Sequence, residues 1–215
     1  MDLNKTNPYD ERYSGEEYYW GKKHSAICDT VIGLFGDRLD SHPKLLDLGC
    51  GEGRNAVYFA LHGFEVTGMD ASQVGLEKTE RYAREAGVRI TTVQSDIAQY
   101  RPDGLYDVIF SSGTLHYIPT ELRTACLNGY KDATSADGLH AFSALTEKPF
   151  IPQAPDAAPD VVLFKSGELM GYYWDWAIHM CEEDIFDCLS SGVPHKHASS
   201  RIIAWRYGCG LQAEK

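Results

Sequence analysis

Leu45-Leu46-Asp47-Leu48-Gly49-Cys50-Gly51-Glu52-Gly53-Arg54-Asn55 is the stretch whose reading decides the fold. A short apolar run carries an acid, three glycines follow at alternate positions, and a helix-forming segment occupies residues 54–60. A strand that turns on glycines into a helix brings bare backbone N–H groups up to a ligand, because no Cβ stands in the way. The spacing is D-x-G-x-G-x-G, not the G-x-G-x-x-G that accommodates a pyrophosphate. An acid ahead of the first glycine sits badly beside a diphosphate. It suits a ligand carrying an α-amino group and a sulfonium.

Three later apolar segments end on residues of the same kind. Residues 64–70 end in Asp70, 21 positions after Gly49, where a carboxylate can accept both hydroxyls of a ribose. Residues 90–95 end in Ser95, with Asp96 and Ile97 next. Residues 106–112 carry Ser111 and lead into Gly113-Thr114-Leu115-His116-Tyr117. Each feature also has a purely structural reading: the glycines make a tight turn, Asp70 caps the helix starting near Ser72, and Asp96 caps a turn. Their joint order favours a ligand site.

With these residues in this order, the chain resembles the class I S-adenosylmethionine (SAM) dependent methyltransferases. The resemblance implies that SAM is the cofactor and S-adenosylhomocysteine the product. It places Asp47, Gly49, Cys50, Gly51, Gly53, Arg54, Asn55, Asp70, Ala71, Ser95, Asp96, Ile97 and Ser111 in the cofactor site. Cys50 on its own reads as a small buried filler, not a nucleophile.

Composition agrees with a single α/β enzyme domain. A chain of 215 residues can bury one substantial core. No apolar run reaches 18 residues, and no apolar stretch follows Met1-Asp2-Leu3-Asn4-Lys5, so neither a membrane span nor a signal peptide is expected. Cysteines 28, 50, 126, 181, 188 and 209 form no C-x-x-C pair and read as reduced thiols of a cytoplasmic protein. No His/Cys cluster has structural zinc spacing, so no metal is expected. Twenty Lys and Arg against 31 Asp and Glu give a net charge of −11, which repels a phosphate backbone; nucleic acid is not an expected partner. A small-molecule methyl acceptor is, on a monomer or homodimer.

Strand and helix signals alternate. A helical pattern at 71–86 stops at Gly87, and Gly63 ends the preceding helix in the same way. Residues 119–134 read as a helix, Asp137-Gly138 as a turn, and 139–145 as a fifth strand. Prolines 149, 152, 155 and 159 make 146–160 an irregular loop, either a substrate lid, which is the favoured reading, or simply disordered. Ser166 caps a short helix at 167–173; strands at 174–180 and 201–207 follow, forming an antiparallel edge pair. The expected fold is a doubly wound, mostly parallel, seven-stranded Rossmann-like methyltransferase sheet with an antiparallel edge strand. Residues 1–36 form an aromatic and helical cover, 37–208 the methyltransferase domain, and 209–215 a frayed tail. Tyr9, Tyr13, Tyr18, Tyr19 and Trp20 either cover the core or close over the cofactor, where an aromatic face favours a cationic sulfonium.

Within the superfamily, residues 163–176 (Leu-Phe-Lys-Ser-Gly-Glu-Leu-Met-Gly-Tyr-Tyr-Trp-Asp-Trp), the Gly-x-Gly-Arg-Asn at 51–55 and the Tyr58 helix are similar to the tellurite-resistance methyltransferases. That family follows with a Gly-x-x-His-basic stretch, filled here by Gly192-Val193-Pro194-His195-Lys196. Lys196 replaces the family's arginine, and the next segment is shorter, leaving Arg201 as a candidate for a later arginine. The implied acceptor is a chalcogen oxyanion or thiol, such as tellurite or selenite. His195 would act as base or positioning group, with Lys196 or Arg201 steadying the anion. His197 and His116 are alternatives, and His195-Lys196-His197 also reads as a polar turn or a weak metal site. No D/N-P-P-Y/F follows the fourth strand, which argues against amide or exocyclic-amine methylation. Oxygen methylation of a natural-product acid or phenol, and a SAM-binding sensor without turnover, stand as the other readings.

Overall fold

Leu45, Leu46 and Leu48 are fully buried, so strand β1 (Lys44–Leu48) needs apolar cover on both faces and lies inside the sheet. The computed structural model describes residues 7–155, 157, 161–189 and 191–207. The remaining strands are β2 (Glu65–Asp70), β3 (Ile90–Gln94), β4 (Tyr106–Ser112), β5 (Thr134–Thr146), β6 (Ala177–Cys188) and β7 (His195–Trp205). They form one seven-stranded sheet in the order β3-β2-β1-β4-β5-β7-β6. From β3 to β5 all pairings are parallel. β7 runs antiparallel to β5, and β6 antiparallel to β7, so the hairpin of the last two strands closes one side.

Alternate side chains feed two cores. Leu46, Ile109 and Phe142 point to one face, beneath α5 (Thr120–Asp132), which contributes Cys126, Leu127 and Tyr130. Leu45, Val108, Phe110 and Ala141 point to the other, beneath α2 (Ile27–Phe35) and α3 (Arg54–Leu61), which contribute Cys28, Val31, Phe35, Ala56 and Phe59. The architecture is therefore α/β and doubly wound. Strand order reverses between β1 and β4, and in such sheets the crevice at the carboxyl ends of those strands takes ligands. Two short helices, α1 (Pro8–Tyr13) and α6 (Glu168–Gly171), flank this frame. Among the described residues, no helix is long and apolar enough to cross a membrane.

Helix α4 (Gln73–Glu85) shows its sequence signals at work. Ser72 accepts from the Gly75 N–H at 3.0 Å as N-cap. At the other end Val88 N–H bonds Ala83 O at 2.9 Å and Gly87 N–H bonds Arg84 O at 3.2 Å, with Gly87 at φ +74°. That pair of bonds is a Schellman cap, which asks for a left-handed residue.

Several boundaries depart from the sequence reading: β6 starts at Ala177, and the short helix before it runs Glu168–Gly171 with Gly167, not Ser166, at its N-cap. β5 starts at Thr134, and the expected turn at Asp137-Gly138 is a bulge inside it: Tyr106 pairs with Thr134 and Val108 with Leu139. Asp137 takes φ +60° there, so turn residues bend a strand without ending it. β6 runs to Cys188 and β7 begins at His195, so most of the segment expected as an irregular link is paired strand. The reason lies in composition. Residues 182–187 carry four acids and bury nothing, so no apolar alternation marks them; the ladder to β7 holds them. The expected frayed tail falls on residues outside those described, apart from its neighbour Tyr207.

Replacing Gly87 by alanine tests the cap. A Cβ there meets nothing within 4 Å, so only the positive φ of +74° is penalised. Gly87→Ala is expected to lower the unfolding free energy by about 1 kcal/mol, read from urea denaturation; an unchanged midpoint would show that the cap does not stabilise α4.

Candidate active site at the strand switch point

The turn leaving β1 is anchored to the end of β2. Gly49 and Cys50 N–H groups both donate to Met69 O, at 2.7 and 3.0 Å. Gly51 N–H donates to Asp70 Oδ2 and Ser72 N–H to Asp70 Oδ1, each at 2.8 Å. Each Asp70 oxygen thus keeps a lone pair, enough to accept a diol. Gly49 has φ +78°, and a Cβ on it would collide with the Thr114 side chain in the loop after β4. Gly53, at φ +89°, starts α3 and lies against Thr79. Cys50 is buried with its sulfur against Gly68, and burial pushes its thiol well above the ordinary range. It fills space and is inert as a nucleophile.

Asp47 is the least satisfied group at the turn. It is 1% exposed, and among the described residues its Oδ2 has no hydrogen-bond partner. Burial pushes its carboxyl up to about 8; the Asp70 charge adds to this and the Arg54 charge opposes it. A buried acid with an open acceptor is an electrostatic receptor for a cation.

Farther along the crevice, Ser95 N–H bonds Asp70 O at 3.0 Å, and Asp96 Oδ1 accepts from Ala98 N–H at 2.8 Å. Ile97 is buried, and its carbonyl accepts from the Tyr130 hydroxyl at 2.8 Å. Ala71 O accepts from Gln94 Nε2 at 3.3 Å. Ser111 is buried and spends its hydroxyl on Leu48 O at 2.9 Å, tying β4 to β1. Asn55 also faces inward: its Oδ1 accepts from Ser25 N–H at 2.9 Å and from the Cys28 thiol at 3.4 Å. The N-terminal segment crosses the same crevice. Tyr13 lies over Gly51 and Gly75, Asp10 accepts from the Ser72 hydroxyl, and Tyr9 meets the Tyr117 hydroxyl at 2.6 Å.

Two groups here escaped the sequence reading. Glu52, within the glycine turn, pairs with Lys78 of α4 at 2.6 Å, both nearly fully buried. Lys78 also donates to Glu17 O at 2.6 Å, and Glu52 accepts from Trp20 N–H at 3.4 Å. The pair stitches turn, helix and N-terminal cover together; removing one partner would strand a buried charge at a cost of about 3–5 kcal/mol. Arg123 is the other. Buried to 1%, it bonds Glu168 at 2.8 Å and Val162 O and stacks 4.0 Å over Phe164, so it pins the stem of the proline-rich loop. The loop's two ends are also joined through Glu147 N–H to Phe164 O at 2.8 Å.

Next to the crevice lies a cavity of about 230 Å³ lined by Ser25, Ser112, Ser143, Asp184, Ser199 and Arg201, with Ala26, Ile27 and Phe186. Arg201 bonds Asp184 at 2.7 Å and Glu182 at 3.1 Å; its buried Nε has no partner among the described residues. Strand alternation puts His195, His197, Ser199 and Arg201 on one face of β7. Lys196 falls on the opposite face and pairs with Asp187 at 2.6 Å, so the structure separates it from the anion-steadying group expected of it. His195 and His197 meet Nε2 to Nε2 at 2.9 Å. His116 is buried, and its pKa is lowered to about 3 by burial first, then by the Arg123 and His197 charges. It is a neutral imidazole whose Nδ1 has no partner among the described residues. No structural-zinc spacing marks the chain, and His195-Lys196-His197 read at most as a weak metal site, yet Cys188, His195 and His197 bring ligand atoms within 4.8 Å of one another. Hairpin register, not sequence spacing, assembles them.

Known proteins resemble this chain in sequence and in fold. A protein described as a probable SAM-dependent methyltransferase TehB from Haemophilus influenzae is 28% identical over 169 residues, covering 76% of this chain and 56% of that one. A 2-heptyl-1-hydroxyquinolin-4(1H)-one methyltransferase from Mycobacteroides abscessus is 30% identical over 138 residues, covering 62% of this chain and 59% of its own. The chain therefore spans little more than half the length of these relatives. Among solved structures, TehB from Haemophilus influenzae superposes with a TM-score of 0.72 at 24% identity, over 93% of this chain and 66% of that one. The family model for the tellurite resistance protein TehB matches residues 8–192, and the chain belongs to that family.

Proposed function

We propose that the chain is a SAM-dependent methyltransferase acting on a small anionic acceptor, a chalcogen oxyanion or a thiol. The observation that carries the cofactor reading is Asp47: a buried carboxylate with an unsatisfied oxygen, beside amide-lined glycines and the Asp70 carboxylate. In this reading Asp47 takes the α-ammonium, Asp70 the ribose diol, and Ser95, Asp96 and Ile97 the adenine end, while Tyr9 and Tyr13 keep water out. SAM supplies an electrophilic methyl on its sulfonium, so the protein's work is to orient the acceptor and exclude solvent. Arg201, with its free Nε, and the serines around it hold the acceptor's oxygens. His195, with His197 against it, takes or holds the acceptor's proton.

The cavity of about 230 Å³ favours a small acceptor; pockets for drug-sized ligands are typically roughly 300–1,000 Å³. Oxygen methylation is the second reading, favoured by relatives named for it: a ubiquinone biosynthesis O-methyltransferase from Rickettsia felis is 39% identical over 92 residues, 43% of this chain and 37% of that one.

Turnover of labelled SAM with selenite, tellurite, thiols and phenols tests the proposal. Transfer to the first three and not to phenols is expected, and His195→Ala is expected to keep SAM binding and lose most transfer. Full activity in that variant would remove His195 from the chemistry; labelled phenols alone would replace the acceptor class.

Asp47 gives the cofactor reading a pH signature. Its carboxyl is raised to about 8 in the folded protein, against an ordinary value of about 4. The protonated form is thus favoured by folding, and the ligand-free fold loses stability as pH rises toward about 8. An ammonium beside Asp47 favours the ionised form, so binding expels a proton. S-adenosylhomocysteine affinity is therefore expected to rise with pH from mildly acid conditions toward about 8. Calorimetry in buffers of different ionisation heat would show the released proton. Asp47→Asn should bind more weakly and release none; an unchanged proton count would place the ammonium elsewhere.

A further inference from the structure

We propose that Cys188, His195 and His197 form a binding site for a thiophilic divalent cation of the zinc type, at the outer end of the β6–β7 hairpin. Cys188 is directly opposite His195 in the ladder and Phe186 opposite His197, so all three ligands project from one face of two adjacent strands. Their sulfur and ring nitrogens lie within 4.8 Å of one another, and all three residues are partly accessible to solvent.

The imidazole tautomers support the assignment. His195 Nδ1 lies 2.8 Å from Val193 O. A carbonyl only accepts, so Nδ1 carries the hydrogen and Nε2 carries the lone pair. That outer hydrogen bond is the one metal-binding histidines use to fix ring orientation and raise basicity. The lone pair of His195 Nε2 then faces His197 Nε2 at 2.9 Å, where the second ring donates its proton. A cation entering between them replaces that proton: it shifts to the other nitrogen of His197 through solvent, and the Cys188 thiol releases its own.

One thiolate and two imidazoles are a borderline-soft set that fits a tetrahedral ion with one position open. The same face of β7 continues through Ser199 to Arg201, which line the cavity of about 230 Å³. The site thus lies on the same strand face as that cavity, and a thiolate or selenolate is the class of ligand its open position would take. With the ion bound, His195 is a ligand and no longer a base. The site itself rests on the hairpin geometry alone and does not depend on the methyltransferase reading.

Cobalt(II) titration of the chelator-treated full chain tests the site without cofactor or acceptor. One equivalent should bind, with a thiolate-to-cobalt charge-transfer band and the intense visible bands of a tetrahedral ion. Cys188→Ser should abolish the charge-transfer band, and His197→Ala should weaken binding roughly tenfold or more. Cys181→Ser, which alters an exposed thiol outside the cluster, should keep both. Circular dichroism establishes that each variant is folded, and His197→Ala decides the matter if Cys188→Ser is not. No band in the wild type, or a band that survives in folded Cys188→Ser, overturns the proposal. The methyltransferase reading fails separately, by absence of SAM binding.

Discussion

Absence of room is the constraint on which the rest of the molecule depends. Where the chain leaves β1, the backbone is hemmed in by Thr114, Tyr13 and Thr79, and the neighbouring Gly68 and Gly75 are pressed against Cys50 and Gly51 O. Any larger residue would push β1, β2, α4 and the N-terminal segment apart. The same crowding aims the amides of the turn and keeps water from Asp47. The buried Glu52–Lys78 pair locks this arrangement from below, since the turn cannot move without separating two desolvated charges. The geometry of the turn and the stability of the fold are thus specified by the same few residues.

Those residues were legible because each imposes a local rule. Glycines at alternate positions, an acid at a strand end, Ser72 before a helix and Gly87 after it act through nearby backbone, and the structure shows them at the positions where the pattern puts them. The parallel core could be read for a similar reason: runs such as 45–48 and 106–112 bury both faces and leave no other way to fold.

What escaped reading acts at long range or through strand register. Glu52 looked like one more turn residue; its partner is 26 positions away. Arg123 carries no local signal of burial, and two of its partners, Val162 O and Glu168, lie some 40 positions downstream. Lys196 stood next to His195 in the sequence and so seemed to share its task, but strand alternation sends neighbours to opposite faces. Asn55 also fastens Ser25 and Cys28, a task that its place beside the glycines does not announce. The β6–β7 hairpin was underestimated because the outer half of β6 buries no face and the buried residues of β7 there, Ala198, Ser199 and Ser200, are small or polar.

That outer half has a consequence for how the protein lives in a crowded solution. β6 is a twelve-residue border strand with no neighbour on its far side among the described residues. A border of that length is a template onto which any extended segment can add, with Ile178, Ile185 and Phe186 already facing solvent. Glu182, Glu183, Asp184 and Asp187 stand along the same border. Each is already paired with a cation, Arg201 for Glu182 and Asp184, Lys148 for Glu183 and Lys196 for Asp187, so a strand added there would have to dock over those pairs. Charged side chains along an exposed border strand are one of the ways in which proteins discourage such additions.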